Sequence, residues 1–100
     1  MSERNFKIDL ILGASAITFS FIIKLKPDEW LWILSAVTLV LISEALNTAI
    51  ENLADAISLE QNDFIKKAKD ISAAASLIAC IYSLVVAIII WGPHLLKLIN

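Results

Sequence analysis

Apolar and polar positions along the chain fall into three long blocks. The first runs from about Ile8 to Leu25, interrupted by Asp9 near its start and bounded by Lys24 and Lys26. Lysines there can carry their charge out to a membrane surface on long apolar stems. Pro27 closes that block and opens the second. Proline suits a first helical turn, and Asp28 and Glu29 sit where the positive helix end favours acids. The second block is uncharged from Trp30 to Ser43 and continues to about Ile57. The third is uncharged from Ile71 to Trp91, close to the roughly 20 residues that cross a bilayer, and is expected to stop at Gly92-Pro93. A polar link, "SLEQNDFIKKAKD", joins the second and third blocks, and Asn62 or Asp63 can cap the last helix.

The pattern predicts an all-α, single-domain chain over residues 1–100, an integral membrane protein with three transmembrane helices. The expected helices are helix 1 at about 3–25, helix 2 at about 28–57 and helix 3 at about 63–91. Composition strengthens the membrane reading. With 59% apolar residues in a chain of 100, a soluble domain has too little interior to hide them, whereas lipid covers them from outside. The net charge of −2 and the lack of a basic tract exclude a nucleic-acid footprint. Cys80 is the one cysteine, so no disulfide framework or multi-cysteine metal site can form within the chain, and it reads as a small packing residue. The start, "MSERNFKIDLIL", mixes acids with bases and offers no clear small-residue cleavage site, which disfavours a cleaved signal peptide.

Orientation follows from the lysines and arginine in the short flanks. With a cytoplasmic N-terminus, Arg4, Lys7, Lys66, Lys67 and Lys69 lie inside, and Lys24, Lys26 and Lys97 outside. Trp30 and Trp91 then share the outer interface, as antiparallel second and third helices require. This is the topology of a multi-pass protein of the cytoplasmic membrane.

One stretch conflicts with so apolar a chain: "EALNTAIENLAD", Glu44 to Asp55. At 100° per residue Glu44, Asn47, Glu51 and Asp55 share an arc of about 80°, while Leu46, Ile50, Leu53 and Ile57 occupy the other side. A helix entering at Trp30 carries Glu44 into the hydrocarbon, Asn47 and Glu51 to its cytoplasmic edge, and Asp55 beyond it. Carboxylates at such depth must face protein, water or a cation. Asn47 alone would pass as polar glue between helices. Three stacked acids instead call for a cation or a basic partner, in a metal centre or an ion pathway. On the third helix Ser72, Ser76, Ala79, Cys80 and Ser83 form a small-residue face that reads as close packing. Lys69 continues that face, so a phosphate or an acid of the stripe can meet it.

The common phosphate cradles are absent: with only Gly13 and Gly92, no Walker loop or protein-kinase glycine loop can be built. Nor is there an H-E-x-x-H or G-x-S-x-G motif, and His94, beyond Pro93, reads as an interfacial bystander.

"EALNTAIENLAD" followed by "KKAKDISAAA" resembles the central signature of the prokaryotic diacylglycerol kinase and undecaprenol kinase family, including its E-x-x-N-[ST]-A-I-E-x-x-x-D spacing and the A-K-D that opens the next helix. "ERNFKIDL" is similar to the start of the family's first helix, so the likeness spans nearly the whole chain. The resemblance implies an integral-membrane lipid kinase, a homotrimeric helical bundle with active sites shared between subunits. It implies transfer of the γ-phosphate of MgATP to diacylglycerol or undecaprenol. It matches Glu44 to the catalytic base and Asn47 to a residue organising the site. Glu3, Glu51, Asp55, Lys69 and Asp70 match nucleotide-site positions, Glu3 and Glu51 also hold the metal, and Asp9 is a further acidic position. Family members usually carry an amphipathic surface helix ahead of the part matching "ERNFKIDL"; here Met1 and Ser2 precede Glu3, an end expected to fray.

The physics of the residues agrees with these roles. Phosphoryl transfer needs a divalent cation held by hard oxygen ligands, and a desolvated Glu44 lies where a lipid hydroxyl can yield it a proton. Two other readings compete. A small oligomeric cation channel or transporter lined by Glu44 and Glu51 predicts cation flux without nucleotide, although no comparable acid continues the path outward. A catalytically degenerate family member lacking the surface helix predicts no turnover that depends on Glu44 and Glu51.

Overall fold

The computed structural model describes residues 3–57 and 62–100, with side chains from Phe6 onward in the first stretch. These residues form three α-helices: α1 Glu3–Ile22, α2 Pro27–Ile57 and α3 Asp63–Ile99. The all-helical class matches the expectation from the sequence, with two differences at helix ends.

α1 stops at Ile22, short of Leu25. Proline disfavours a helical residue before it, so the chain must turn ahead of Pro27. It does so through Lys24, whose φ of 57° is left-handed and whose N–H reaches the Phe21 carbonyl at 3.3 Å. α2 then begins with a one-sided cap. The Glu29 carboxylate accepts the Lys26 N–H at 2.9 Å, half of a capping box, with Pro27 in the first turn. The same carboxylate lies 3.1 Å from His94 Nε2 through each oxygen. The Lys26 N–H first, and His94 second, hold the Glu29 carboxyl below its ordinary value of 4.5.

The second difference is at the far end of α3. Gly92-Pro93 was expected to terminate the helix, yet it runs through Pro93 to Ile99. Proline there removes one ladder hydrogen bond without compelling a stop. The residues after it, Leu95, Leu96, Lys97 and Leu98, favour helix, and His94 is anchored by Glu29 on α2. His94 is thus a tie between helices, not a bystander. At its other end α3 is capped by Asn62, whose side chain accepts the N–H groups of Phe64 at 2.9 Å and Ile65 at 3.3 Å, as the link sequence suggested.

The molecule is a rod of 57 × 22 × 20 Å. α2 and α3 pack antiparallel along most of its length, and α1 lies chiefly against α2. Gly13 permits that approach: a Cβ there would come 3.1 Å from Val37 Cγ1. The end of the rod that carries Pro27 and Trp91, the outer end in the topology expected from the sequence, is closed by aromatics and a hydroxyl. Ser20 is fully buried, donates to the Ala16 carbonyl at 2.9 Å and accepts Trp91 Nε1–H at 3.1 Å. Phe19 meets Trp91 edge to face at 4.9 Å, and Phe21 meets Trp30 at 4.7 Å. Leu25, Ile33, Ala36 and Val86 form the small apolar core beneath.

Elsewhere the packing is inverted relative to a water-soluble bundle. Glu44, Asn47, Ser72 and Ser76 are buried, whereas Leu46 is 58% and Leu53 62% exposed on the same α2. Among the described residues, α2 and α3 are long and apolar enough to cross a membrane. The described side chains of α1 include Lys7 and Asp9.

Candidate active site

α2 presents its polar stripe to α3, and the antiparallel pairing converts the stripe into a series of interhelical contacts. As residue numbers rise along α2, those of their partners fall along α3. Glu44, 8% exposed, accepts a hydrogen bond at Oε1 from the Ser76 hydroxyl, and Cys80 Sγ lies 4.0 Å from the same oxygen. Further along α2, Asn47, 6% exposed, accepts the Ser72 hydroxyl at Oδ1 over 2.7 Å. Beyond the half-buried Glu51, the exposed Asp55 pairs with Lys69 Nζ at 2.6 Å. Thr48 returns its hydroxyl to the Glu44 carbonyl at 2.9 Å, keeping that polar atom within the helix.

α1 contributes Asp9, whose carboxyl lies close enough to that of Glu44 for each to feel the other's charge. Asp9 Oδ2 is enclosed and has no hydrogen-bond partner among the described residues. Two carboxyl groups from different helices therefore meet at one point inside the bundle. That point opens on a mostly apolar groove of about 460 Å³, lined by Asp9, Gly13, Val37, Val40, Cys80 and Leu84 among others. Such a groove accepts a hydrocarbon chain more readily than a polar metabolite.

Of the residues singled out by the sequence, Glu44, Asn47 and Asp9 lie together in the interior, while Asp55 and Lys69 meet at the exposed end. Glu51 falls between these two groups along α2. Asp70 is exposed on another flank of α3, away from the contacts just described. The side chain of Glu3 lies outside the described residues. Among the described residues no three metal-ligating side chains are grouped to hold an ion on their own. Magnesium is ordinarily held by one or two carboxylates, with substrate phosphates and water completing its shell, and Glu51 offers an oxygen donor of that kind.

Ser72 and Ser76 read from sequence as packing residues, but each donates a hydrogen bond to a residue of the stripe. Their four-residue spacing mirrors the rise of the stripe on α2, a signal usable once the two helices are known to be antiparallel. Cys80 continues the same row and faces Glu44.

A family model described as prokaryotic diacylglycerol kinase matches residues 1–91. The chain is 30% identical over 94 residues to an undecaprenol kinase of Bacillus subtilis, an alignment covering 94% of this chain and 76% of that protein. It is 33% identical over 94 residues to a diacylglycerol kinase of Pseudomonas aeruginosa, covering 94% and 73%. Against a diacylglycerol kinase of Escherichia coli it is 44% identical over 59 residues, covering 59% of this chain and 45% of that protein. A buried Glu44 beside Asp9 at the edge of an apolar groove, together with a family match over nearly the whole length, leads to one assignment: the chain belongs to the prokaryotic diacylglycerol kinase family, a family of lipid kinases.

Proposed function

We propose that the chain is a multi-pass protein of the cytoplasmic membrane that transfers the γ-phosphate of ATP to the hydroxyl of a membrane lipid. In this reading all three helices cross the bilayer. α1 does so from about Ile8, α2 from Trp30 inward and α3 from Ile71 to Trp91, with the N-terminus and the site on the cytoplasmic side. The observation that carries the reading is the carboxylate of Glu44, buried between helices while leucines of the same helix face outward. An ionisable group at that depth is expensive unless it has work to do there.

The lipid hydroxyl oxygen attacks the γ-phosphorus as the bond from that phosphorus to the β,γ-bridging oxygen breaks. ADP leaves with the electron pair, and the hydroxyl proton passes to Glu44. Asp9, beside Glu44, and Asn47, held by Ser72, shape the acceptor end. The groove lined by Asp9 and Cys80 gives the lipid chain an apolar wall. Asp55, Lys69 and Asp70 serve the nucleotide at the water side, where Lys69 can exchange its carboxylate partner for a phosphate. Glu51, with Glu3, would hold magnesium, which when bound neutralises phosphate oxygens. A homotrimer with sites shared between subunits would bring a neighbour to the flank where Asp70 is exposed.

The acceptor is diacylglycerol, giving phosphatidic acid, or undecaprenol, giving undecaprenyl phosphate; the relatives carry both names. Purified protein offered labelled ATP and each lipid in turn is expected to label at least one. Failure with both across a magnesium series would sink the kinase reading.

A further inference from the structure

We infer that Ser76 is a positioning residue for phosphoryl transfer, orienting the Glu44 carboxylate toward the acceptor hydroxyl. The inference rests on the reading of Glu44 as the proton acceptor. Hydroxyls inside helices ordinarily return their proton to a carbonyl three or four residues back. Ser15, Thr18, Ser20 and Ser83 do so here. Ser76 departs from that habit: its hydroxyl crosses to α2 and donates to Glu44 Oε1, in a contact that is buried on both sides.

The consequence is geometric. A glutamate side chain turns about several bonds, and an unanchored carboxylate would spread over several orientations, each with its entropy. The α3 neighbours of this carboxylate, Ser76 Oγ and Cys80 Sγ, both address Oε1. A carboxylate pinned through one oxygen has the direction of its other oxygen, Oε2, set for the incoming hydroxyl. Proton transfer in a phosphoryl transition state is sensitive to such placement, and a misplacement near 1 Å can cost about 100-fold in rate. Ser76 is suited to the task because it sits on the helix that packs most extensively against α2, so its own position is fixed by the seam it bridges.

The test compares the parent with Ser76→Ala, Ser76→Thr and Ser76→Val in steady-state lipid phosphorylation, each also made on a Glu44→Gln background. Threonine and valine have nearly the same shape, so that pair separates the hydroxyl from packing. Ser76→Ala and Ser76→Val are expected to lower kcat about 10- to 100-fold with KM for ATP and lipid within about twofold, and Ser76→Thr to stay near the parent. On the Glu44→Gln background the same substitutions should cost nothing further, because a residue acting through Glu44 has nothing left to orient. Equal rates for the threonine and valine variants, an unchanged kcat in both hydroxyl-free variants, or the full loss repeated on the Glu44→Gln background would each overturn the assignment to Ser76. Parental turnover by Glu44→Gln itself would instead remove the reading of Glu44 as base, a result distinct from the other three.

Discussion

The two ends of the α2–α3 seam are built from the same kinds of residue and differ in their balance. At the outer end one acid, Glu29, meets the Lys26 N–H and His94, and the buried Ser20 hydroxyl has both a donor and an acceptor partner. Aromatic rings close over it. At the inner end carboxyl groups gather along the seam. Asp9 and Glu44 face each other, Asp9 Oδ2 has no partner among the described residues, and Glu51 and Asp55 follow along the same face. A satisfied polar cluster fastens helices together. An acid-rich one beside an apolar groove suits the phosphoryl transfer proposed above better than it suits fastening.

That contrast predicts that inner-end substitutions remove activity with little effect on folding, and outer-end substitutions do the reverse. The largest expected effect is Glu44→Gln, which keeps shape and a hydrogen-bond acceptor for Ser76 but loses the base. Turnover in a lipid phosphorylation assay should fall about 100- to 10,000-fold with the helical circular dichroism unchanged. Next comes Glu51→Gln. The magnesium concentration giving half-maximal rate should rise about tenfold or more, because even indirect metal partners cost 10- to 100-fold when removed; an unaltered magnesium curve argues against Glu51 as a ligand.

A smaller effect, on stability alone, is expected at the outer end. Ser20→Ala deletes the acceptor of Trp91 Nε1–H and should cost about 1 kcal/mol of stability in denaturant titrations of the detergent-solubilised protein, with kcat unchanged. A matching loss of turnover would blur the distinction between the two ends. The smallest effect is that of pH on the Glu29 tie, which lies in the first turn of α2 ahead of the span that begins at Trp30. Because its folded value is depressed, the tie contributes fully above about 4.5 and is lost as pH falls through the lower folded value. Acidification below that range should lower the unfolding temperature of the parent more than that of Glu29→Gln, and parallel curves would show the tie to be inert.

The seam also divides what the sequence made legible from what it hid. Helix identity, the cap at Asn62 and the polar stripe were all readable, because each depends on neighbours within one or two turns. Helix ends were less so. Lys24 takes a left-handed conformation that nothing in "KLKPDE" demands, and α3 passes Pro93 because His94 finds Glu29, a partner distant in sequence. Ser72 and Ser76 were misread as mere packing for the same reason. A serine facing another helix is a spacer or a donor according to what stands opposite.

The sequence by itself determined that this chain is helical, that α2 is two-faced, and that acids occupy one face of a helix long and apolar enough to cross a membrane. These follow from periodicity and from the cost of charge in an apolar medium, properties of single segments. Tertiary structure alone decided which face turned inward, which α3 residues met the stripe, and that Asp9 from α1 would share a site with Glu44. The register between packed helices is set by side-chain fit along the whole seam, including the close approach at Gly13 and the ties at both ends, and no local stretch of sequence contains that sum.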